Sequence, residues 1–141
     1  MRTLVTAIAA VVVAALALTS SSSSETQGVA RFRETQISHA LTGDAAASVE
    51  VWRTRVWLVT RQQAVGTGAI ACVRVDNNTS TRECHGTYIL PRGRIQVVGE
   101  ILNRAAFQLS IVGGTGIYVA GGGVAVFAGL KNPALITFFL N

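Results

Sequence analysis

A glycine-rich stretch near the C-terminus most constrains what this chain can fold into. Six of its fourteen glycines lie between Gly113 and Gly123, and residues typical of β-strands flank the stretch on both sides. Glycine tolerates positive φ and lets another backbone approach closely, which suits a sharp corner between two strands of a barrel. Glycine-rich turns also cradle phosphates, but such a loop leads into a helix, and no helix start signal follows Gly116. The stretch therefore favours a strand corner over a nucleotide site.

The rest of the chain predicts an all-β fold. Short runs of strand-forming residues recur between turn residues from position 30 to 140, and no helix longer than two turns is indicated. Strands joined by short turns pair antiparallel, and closure into a small barrel of about eight strands removes exposed edges. The predicted strands are Ala30–Ser38, Ser48–Thr60, Gly66–Val75, Arg82–Leu90, Arg94–Leu102, Ala105–Val112, Ile117–Val119 running into Gly123–Ala128, and Leu135–Leu140.

Alternation along these strands predicts which side chains face the interior. Ile95, Val97 and Ile101 alternate with polar residues, so we expect the apolar set to point inward. The same rule places Cys84, Tyr88 and Leu90 inside. Either Trp52 or Trp57 is expected to form part of the wall of this interior. Glycines at positions 66, 68, 86 and 99 favour a cavity, although large apolar residues could fill it. The residues predicted to lie outside this interior are Glu50, Glu83, His85 and Glu100 on the surface, and His39 in a loop.

The N-terminal segment predicts an export signal. Arg2 precedes the uncharged apolar run Leu4–Leu18, which is short for a membrane span and ends at a run of serines. An uncleaved membrane anchor is the alternative. We therefore expect a signal peptide or anchor at 1–19, a polar spacer at 20–27 and one β-barrel domain at 28–141, in a protein that is secreted or anchored to the membrane.

The formal net charge of +5 is modest, and the arginines that produce it are scattered. A nucleic-acid-binding protein would show a denser basic stripe with stacking aromatic residues, so we expect no nucleic-acid partner. A solvated basic surface is the simplest interpretation. Contact with acidic lipids, glycans or wall polymers stays open.

Cys72 and Cys84 are the only cysteines, and in an oxidising compartment we expect them to form a disulfide. Closing so short a loop stabilises a fold by about 3 kcal/mol in the chain-entropy model. A catalytic thiolate would need an activating base, but His85 would point to the opposite face of the strand from Cys84. The cysteines and histidines lack zinc-ligand spacing, so no metal site is expected.

Three segments carry a resemblance to a known family. The frame Gly-Gly-Thr-Gly-x-Tyr-x-x-x-x-Gly at 113–123, the run from Cys84 through Leu90-Pro to Gly99, and the closing strand Ile136–Leu140 resemble bacterial allene oxide cyclase barrel-like and dirigent-like proteins. The resemblance covers Gly66 to Asn141 well. The family usually carries basic residues at positions that are apolar or glycine here, namely Ile117, Val119 and Gly122. This corner is therefore expected to be a ligand entrance or a subunit contact.

The resemblance implies a cofactor-independent barrel that cyclises or steers reactive apolar molecules. Relatives act on a fatty-acid epoxide in plants and on a polyketide chain in some bacterial pathways, mainly by folding the substrate into a reactive shape. Tyr88 would orient the substrate in such a cyclase or isomerase. A non-catalytic lipophile carrier, a dirigent-like guide and a structural extracellular barrel stay as alternatives, and similar barrels assemble as dimers or trimers. The predicted substrate-contacting residues are Trp57, Ile70, Tyr88, Leu90, Ile95, Val97, Phe107, Leu109 and Ile111.

Overall fold

The structure, a computed structural model, describes residues 28–43, 48–76, 78–102, 106–119, 121–128 and 134–141. Within these ranges the chain forms eight β-strands and one turn of 3₁₀-helix, and none of its helical structure has the length and hydrophobicity of a membrane span. The predicted leader and spacer lie outside the described residues. The strands are β1 (Gly28–Thr42), β2 (Val49–Leu58), β3 (Ala64–Arg74), β4 (Arg82–Leu90), β5 (Gly93–Ile101), β6 (Ala106–Gly114), β7 (Gly123–Ala128) and β8 (Ala134–Leu140), with the 3₁₀ turn at Gly116–Tyr118.

The eight strands close into an antiparallel barrel. Each strand pairs with the next along the chain, and β8 returns to pair with β1. The predicted all-β closed barrel is therefore confirmed. Two local predictions are wrong: Ile117–Val119 is not a strand, because the chain turns through the 3₁₀ segment there, and His39 lies in β1 rather than in a loop, because pairing with β2 continues to Thr42.

The interior of the barrel is filled mainly by apolar side chains. Alternation placed the inner faces of β4, β5 and β6 correctly, since each predicted inner residue on them is buried and most of their outer neighbours are exposed. Aromatic rings meet across the centre, with the Phe107 and Phe127 rings stacked 4.3 Å apart and Phe138 edge-on to Tyr88 at 5.3 Å. The largest fully buried side chains are Tyr88, Phe127, Phe138, Ile95, Ile101, Leu109, Ile136, Val56 and Val97, together with both cysteines.

The glycine-rich stretch forms a corner that interlocks with the turn between β4 and β5. The Thr115 amide donates to the Arg94 carbonyl at 2.9 Å and the Ile117 amide to the Arg92 carbonyl at 3.1 Å. The Arg94 amide in turn donates to Thr115 Oγ1 at 3.1 Å. Gly116 has φ +66, and a Cβ on it would collide with the Arg92 carbonyl oxygen. The two backbones can therefore lie this close only if position 116 is glycine.

The strand ends define two rims of the barrel. Rim A joins the strand ends around residues 43–48, 75–81, 102–105 and 129–133. Rim B joins those around 59–63, 91–92 and 115–122, and it also holds the start of β1 and the end of β8. Tyr118 of the 3₁₀ turn is buried in the core cluster at rim B.

Candidate functional site

Three polar side chains meet inside the apolar barrel. The Tyr88 hydroxyl donates to Glu34 Oε2 at 3.2 Å, and the Thr54 hydroxyl donates to the same oxygen at 3.1 Å. Glu34 is on β1, Thr54 on β2 and Tyr88 on β4, and all three are buried. We call this set the interior polar group. It is the only cluster in the described residues that places a carboxyl group beside the Tyr88 hydroxyl.

The Glu34 carboxyl group is buried without a cation. The residues that the structure describes form no ion pair with it, and its two partners are neutral hydroxyls. Burial raises the pKa of Glu34 above its usual value of 4.5, and the hydrogen bonds from Thr54 and Tyr88 only partly oppose that rise. A buried carboxyl group without a cation beside it destabilises a fold, so the presence of Glu34 in the core points to a function.

Tyr88 remains a hydrogen-bond donor in this setting. Burial, and then the negative charge of Glu34, raise the pKa of Tyr88 well above its usual value of 10.0. The phenol therefore stays protonated at any physiological pH. The pair therefore combines a carboxyl group of raised pKa with a phenol O–H that donates to it.

Gly68 makes room for the interior polar group. It pairs with Thr54 on one side and Tyr88 on the other. A Cβ at this position would lie 2.6 Å from Thr54 Oγ1 and 2.5 Å from Tyr88 Cε1. The prediction that this glycine and Gly86 open a cavity is wrong, because neighbouring side chains already occupy the space beside each.

Replacing Gly68 by alanine is expected to lower the free energy of unfolding by about 2 kcal/mol, because the added methyl group must displace Tyr88 or Thr54. Urea unfolding followed by tryptophan fluorescence measures the change. The matched control is Gly122→Ala, where no heavy atom lies within 4 Å of the new Cβ. We expect the control to stay within about 0.5 kcal/mol of the wild type. Equal stability of both variants would contradict the packing at Gly68.

Burial of Glu34 predicts a pH dependence of stability. A carboxyl group whose pKa is raised on folding binds more protons in the folded state, so stability is highest below its unfolded pKa and falls as pH rises towards the folded pKa. Glu34→Gln removes this loss. The unfolding free energy of the variant relative to the wild type is therefore expected to increase as pH rises above 4.5 and then to level off. A Glu100→Gln control, which removes an exposed carboxylate, separates this effect from a change in net charge. A difference that does not vary with pH would contradict the assignment.

A second polar cluster lies at rim A. The Arg82 guanidinium contacts Glu50 Oε1 through Nη2 at 3.1 Å and Nε at 3.2 Å, and both side chains are buried. His39 Nε2 lies 3.7 Å from Glu50 Oε2, and the His39 ring stacks on Trp52 at 5.9 Å. The prediction that Glu50 is a surface group is wrong, because its strand face points inward and Arg82 compensates its charge.

A β-bulge in β1 places His39 in this cluster. The pairing of β1 with β2 shifts between Gln36 and Ser38, so Ile37 is an extra residue. Gln36 pairs with the inward-facing Thr54, and beyond the bulge His39 pairs with Trp52. Because a bulge reverses the alternation of side chains, Gln36 before the bulge and His39 after it both lie on the inner face of β1.

Among the described residues, the pairing of β1 with β8 reaches as far as the interior polar group. Its last described pair is Glu34 with Ala134, whereas β1 continues along β2 to Thr42. Gln36, which shares the inner face beyond that point, is exposed. Among the described residues, β1 is therefore paired with β2 alone beyond Glu34, and this is where a ligand could approach from rim A.

Most of the predicted substrate-contacting residues lie together in the core, and one of them, Trp57, lies outside it. Tyr88 lies at the centre of the core, whereas Trp57 is half-buried on the opposite face of β2 and Trp52 packs against the core instead. Sequence reasoning missed Glu34 and Thr54. The alternation of side chains along β1 would have indicated Glu34, because Glu34 lies on the same strand face as the apolar Phe32. The other predicted contact residues, all buried in the core cluster, are Ile70, Leu90, Ile95, Val97, Phe107, Leu109 and Ile111.

Two depressions lie on the outer wall rather than in the interior. One of about 380 Å³ is lined by outward-facing residues such as Ala71, His85 and Val112. The other, of about 330 Å³, lies over β1 to β4 and includes Ile37 and Arg53. Within the described ranges, no group of three or more His, Cys, Asp or Glu side chains is placed to hold a metal ion.

Comparison with solved structures identifies the fold. A pyocyanin demethylase matches with a TM-score of 0.72 and 20% identity, over 81% of this chain and 100% of that one. An exo-specific intermolecular Diels–Alderase matches with a TM-score of 0.67 and 12% identity, over 82% of this chain and 98% of that one. The chain thus shares the dirigent-type barrel fold. A pterocarpan synthase dirigent protein matches with a TM-score of 0.64 and 12% identity, over 81% of this chain and 85% of that one.

These likenesses concern the dirigent-type fold, since every one of them lies at or below 20% identity. No protein-family model matches the sequence, and no curated protein matches it. The expected cyclase-like or dirigent-like barrel is thus confirmed as a fold, without a specific likeness to allene oxide cyclases.

Proposed function

We propose that this dirigent-type barrel binds a largely apolar small molecule beside its interior polar group and directs the closure of a ring in that molecule, without a cofactor. The observation that carries the proposal is the Glu34 carboxyl group, buried without a cation and held by the hydroxyls of Thr54 and Tyr88. A group kept in such an unfavourable place is typical of a functional site. The shared fold with a Diels–Alderase and a dirigent protein supports the same class of chemistry.

The chemistry would rest on orientation and polarisation. The aromatic rings around Tyr88 would hold a flexible chain folded, so that its two reacting carbons meet. A protonated Glu34 or the Tyr88 hydroxyl would donate a hydrogen bond to a carbonyl oxygen of the substrate and draw electron density towards it. When an unsaturated chain closes a ring, a π bond of the same molecule is converted into the new σ bond and nothing leaves, so neither residue has to form a covalent bond.

The substrate we infer is a polyketide- or lipid-like chain with one carbonyl or hydroxyl group. The apolar lining fits the body of such a chain, and the interior polar group fits its single oxygen. The resemblance of the Cys84–Gly99 run to allene oxide cyclase barrels supports the same class. We further propose that the protein acts outside the cell or at the membrane surface, which the apolar run Leu4–Leu18 supports.

The first experiment is native mass spectrometry of the full-length protein purified from its producer. A retained small molecule with a polyketide- or lipid-like mass supports the proposal and supplies a substrate for a cyclisation assay. In that assay, Glu34→Leu and Tyr88→Phe are each expected to lower kcat/KM by about 100-fold, because each removes a group that can donate a hydrogen bond to the developing charge. Wild-type rates in both variants would overturn the role of the interior polar group.

A matched pair of variants on β6 tests where the ligand lies. Leu109 points into the core and Val112 lines the larger outer depression. Binding of 1-anilinonaphthalene-8-sulfonate is expected to be lost in Leu109→Trp and retained in Val112→Trp. Loss in Val112→Trp alone would place the ligand on the outer wall and contradict the proposal. If Leu109→Trp does not fold, Thr54→Val, which keeps the side-chain shape, replaces it as the core variant in the same binding measurement.

One observation favours a structural barrel as the second candidate. Tyr88, Phe127 and Phe138 have no exposed surface at all, as in a barrel whose interior is filled by its own side chains. A structural barrel would retain no small molecule and would bind the fluorescent probe equally in wild type and Leu109→Trp.

A further inference from the structure

Among its described residues, rim B carries positive charge without any aspartate or glutamate. The three connections at this rim, with two strand residues on either side, contain Arg61, Arg92 and Arg94 and no aspartate or glutamate. All three arginines are exposed, and the described residues provide no carboxylate partner for them. Rim B therefore presents three free guanidinium groups.

Rim A has the opposite composition. Among the described residues, the same count there finds four acids against two basic residues, and one of those two, Arg82, is paired with Glu50 inside the barrel. The charge is thus segregated along the barrel axis rather than spread over the surface. Such an asymmetry orients a protein towards a negatively charged partner. The described acids near rim A are Glu50, Asp76, Glu83 and Glu100.

Apolar side chains project between these arginines. Ile117 is 53% exposed, Val119 is 73% exposed, and Val59 in the neighbouring turn is 43% exposed. The Ile117 amide donates to the Arg92 carbonyl, so the turn that carries Ile117 and Val119 lies against the turn that carries Arg92. Tyr118, between the two exposed residues, is buried and fixes the turn to the core.

The rest of the chain leads to the same rim. β1 starts at Gly28, which pairs with Leu140 at rim B, so residues 1–27 join the barrel there. Those residues include the uncharged apolar run Leu4–Leu18. An apolar segment that leads into an arginine-bearing rim with apolar tips matches a lipid bilayer better than a soluble acidic protein.

We propose that rim B docks on the surface of an anionic lipid bilayer, with the three arginines against lipid phosphates and with Ile117 and Val119 in the interfacial layer. Basic residues near an anionic membrane contribute about 1 kcal/mol each, and shallow apolar insertion adds to this. In this orientation rim A faces away from the bilayer, so the approach to Glu34 stays in water. The inference does not depend on the proposed chemistry of the interior polar group.

Vesicle flotation of the full-length protein tests the proposal. The probes are vesicles of phosphatidylcholine alone and vesicles with about one third phosphatidylglycerol, a fraction that gives a strongly negative surface. We expect at least about tenfold stronger partitioning onto the anionic vesicles, weakened by salt. Arg61→Glu combined with Arg92→Glu should remove that preference. Arg53→Glu, an exposed arginine on the barrel wall, is the charge control and should change partitioning less than about twofold.

A second matched pair tests the apolar tips. Val119→Asp at rim B should weaken partitioning about tenfold, whereas Leu102→Asp, 68% exposed beside rim A, should leave it unchanged. Equal partitioning of wild type and charge-reversed protein onto both vesicle types would overturn the proposal, since residues 1–27 alone would then account for binding. Retention on an acidic polysaccharide without vesicle binding would overturn it in favour of a wall polymer.

Discussion

Replacing Gly116 by alanine is expected to destabilise the barrel by about 3 kcal/mol. The residue has φ +66, which costs an L-residue about 1 kcal/mol, and the new methyl group would run into the Arg92 carbonyl oxygen. That oxygen is held by the Ile117 amide and belongs to the backbone, so it cannot swing aside as a flexible side chain would. Urea unfolding at neutral pH measures the loss.

The control for this prediction lies in the same stretch of chain. Gly122→Ala adds an identical methyl group where no heavy atom lies within 4 Å, so its unfolding free energy should match the wild type within about 0.5 kcal/mol. If Gly116→Ala were as stable as Gly122→Ala, the β4–β5 turn and the glycine corner would not be in backbone contact.

The second large effect is expected from the disulfide. Cys72 and Cys84 are bonded directly across β3 and β4, with a sequence separation of 12. Cys72→Ala combined with Cys84→Ala should lower the unfolding free energy by about 3 kcal/mol, because the unfolded chain regains the freedom that the closed loop removes. Both side chains are fully buried, so the two substitutions also remove some packing.

The reduced wild-type protein provides the comparison. It keeps both sulfur atoms in place, so its loss of stability reports the bond itself, and the extra loss in the double variant reports packing. Titration of thiols in the unfolded, unreduced protein should find none. Equal unfolding midpoints for the oxidised and reduced protein would contradict a stabilising bond.

Much of the fold could be predicted from the sequence because the signals involved are local. Alternation in β5, from Arg94 to Ile101, is enough to orient its side chains, and the run of glycines at 113–123 is enough to indicate a backbone corner. The pairing of Cys72 with Cys84 followed from their being the only cysteines, and it is confirmed.

The candidate site was less accessible to sequence reasoning because it depends on long-range pairing. Glu34 and Tyr88 are 54 positions apart, and only closure of the barrel brings the carboxyl group under the hydroxyl. Glu50 was assigned to the surface because a charged residue in a strand is usually exposed, and its buried partner Arg82 lies two strands away. His39 could not be oriented because one extra residue in β1 changes the direction of every side chain beyond it.

Because of the extra residue Ile37, the mouth of the barrel can change in evolution without a change in the interior. Every described pair of β1 with β8 lies before the bulge, so a change in length at position 37 leaves those pairs and the interior polar group intact. The same change would exchange the two faces of β1 beyond the bulge and turn His39 away from Trp52. A single codon gained or lost could thus give this protein a different mouth around the same interior.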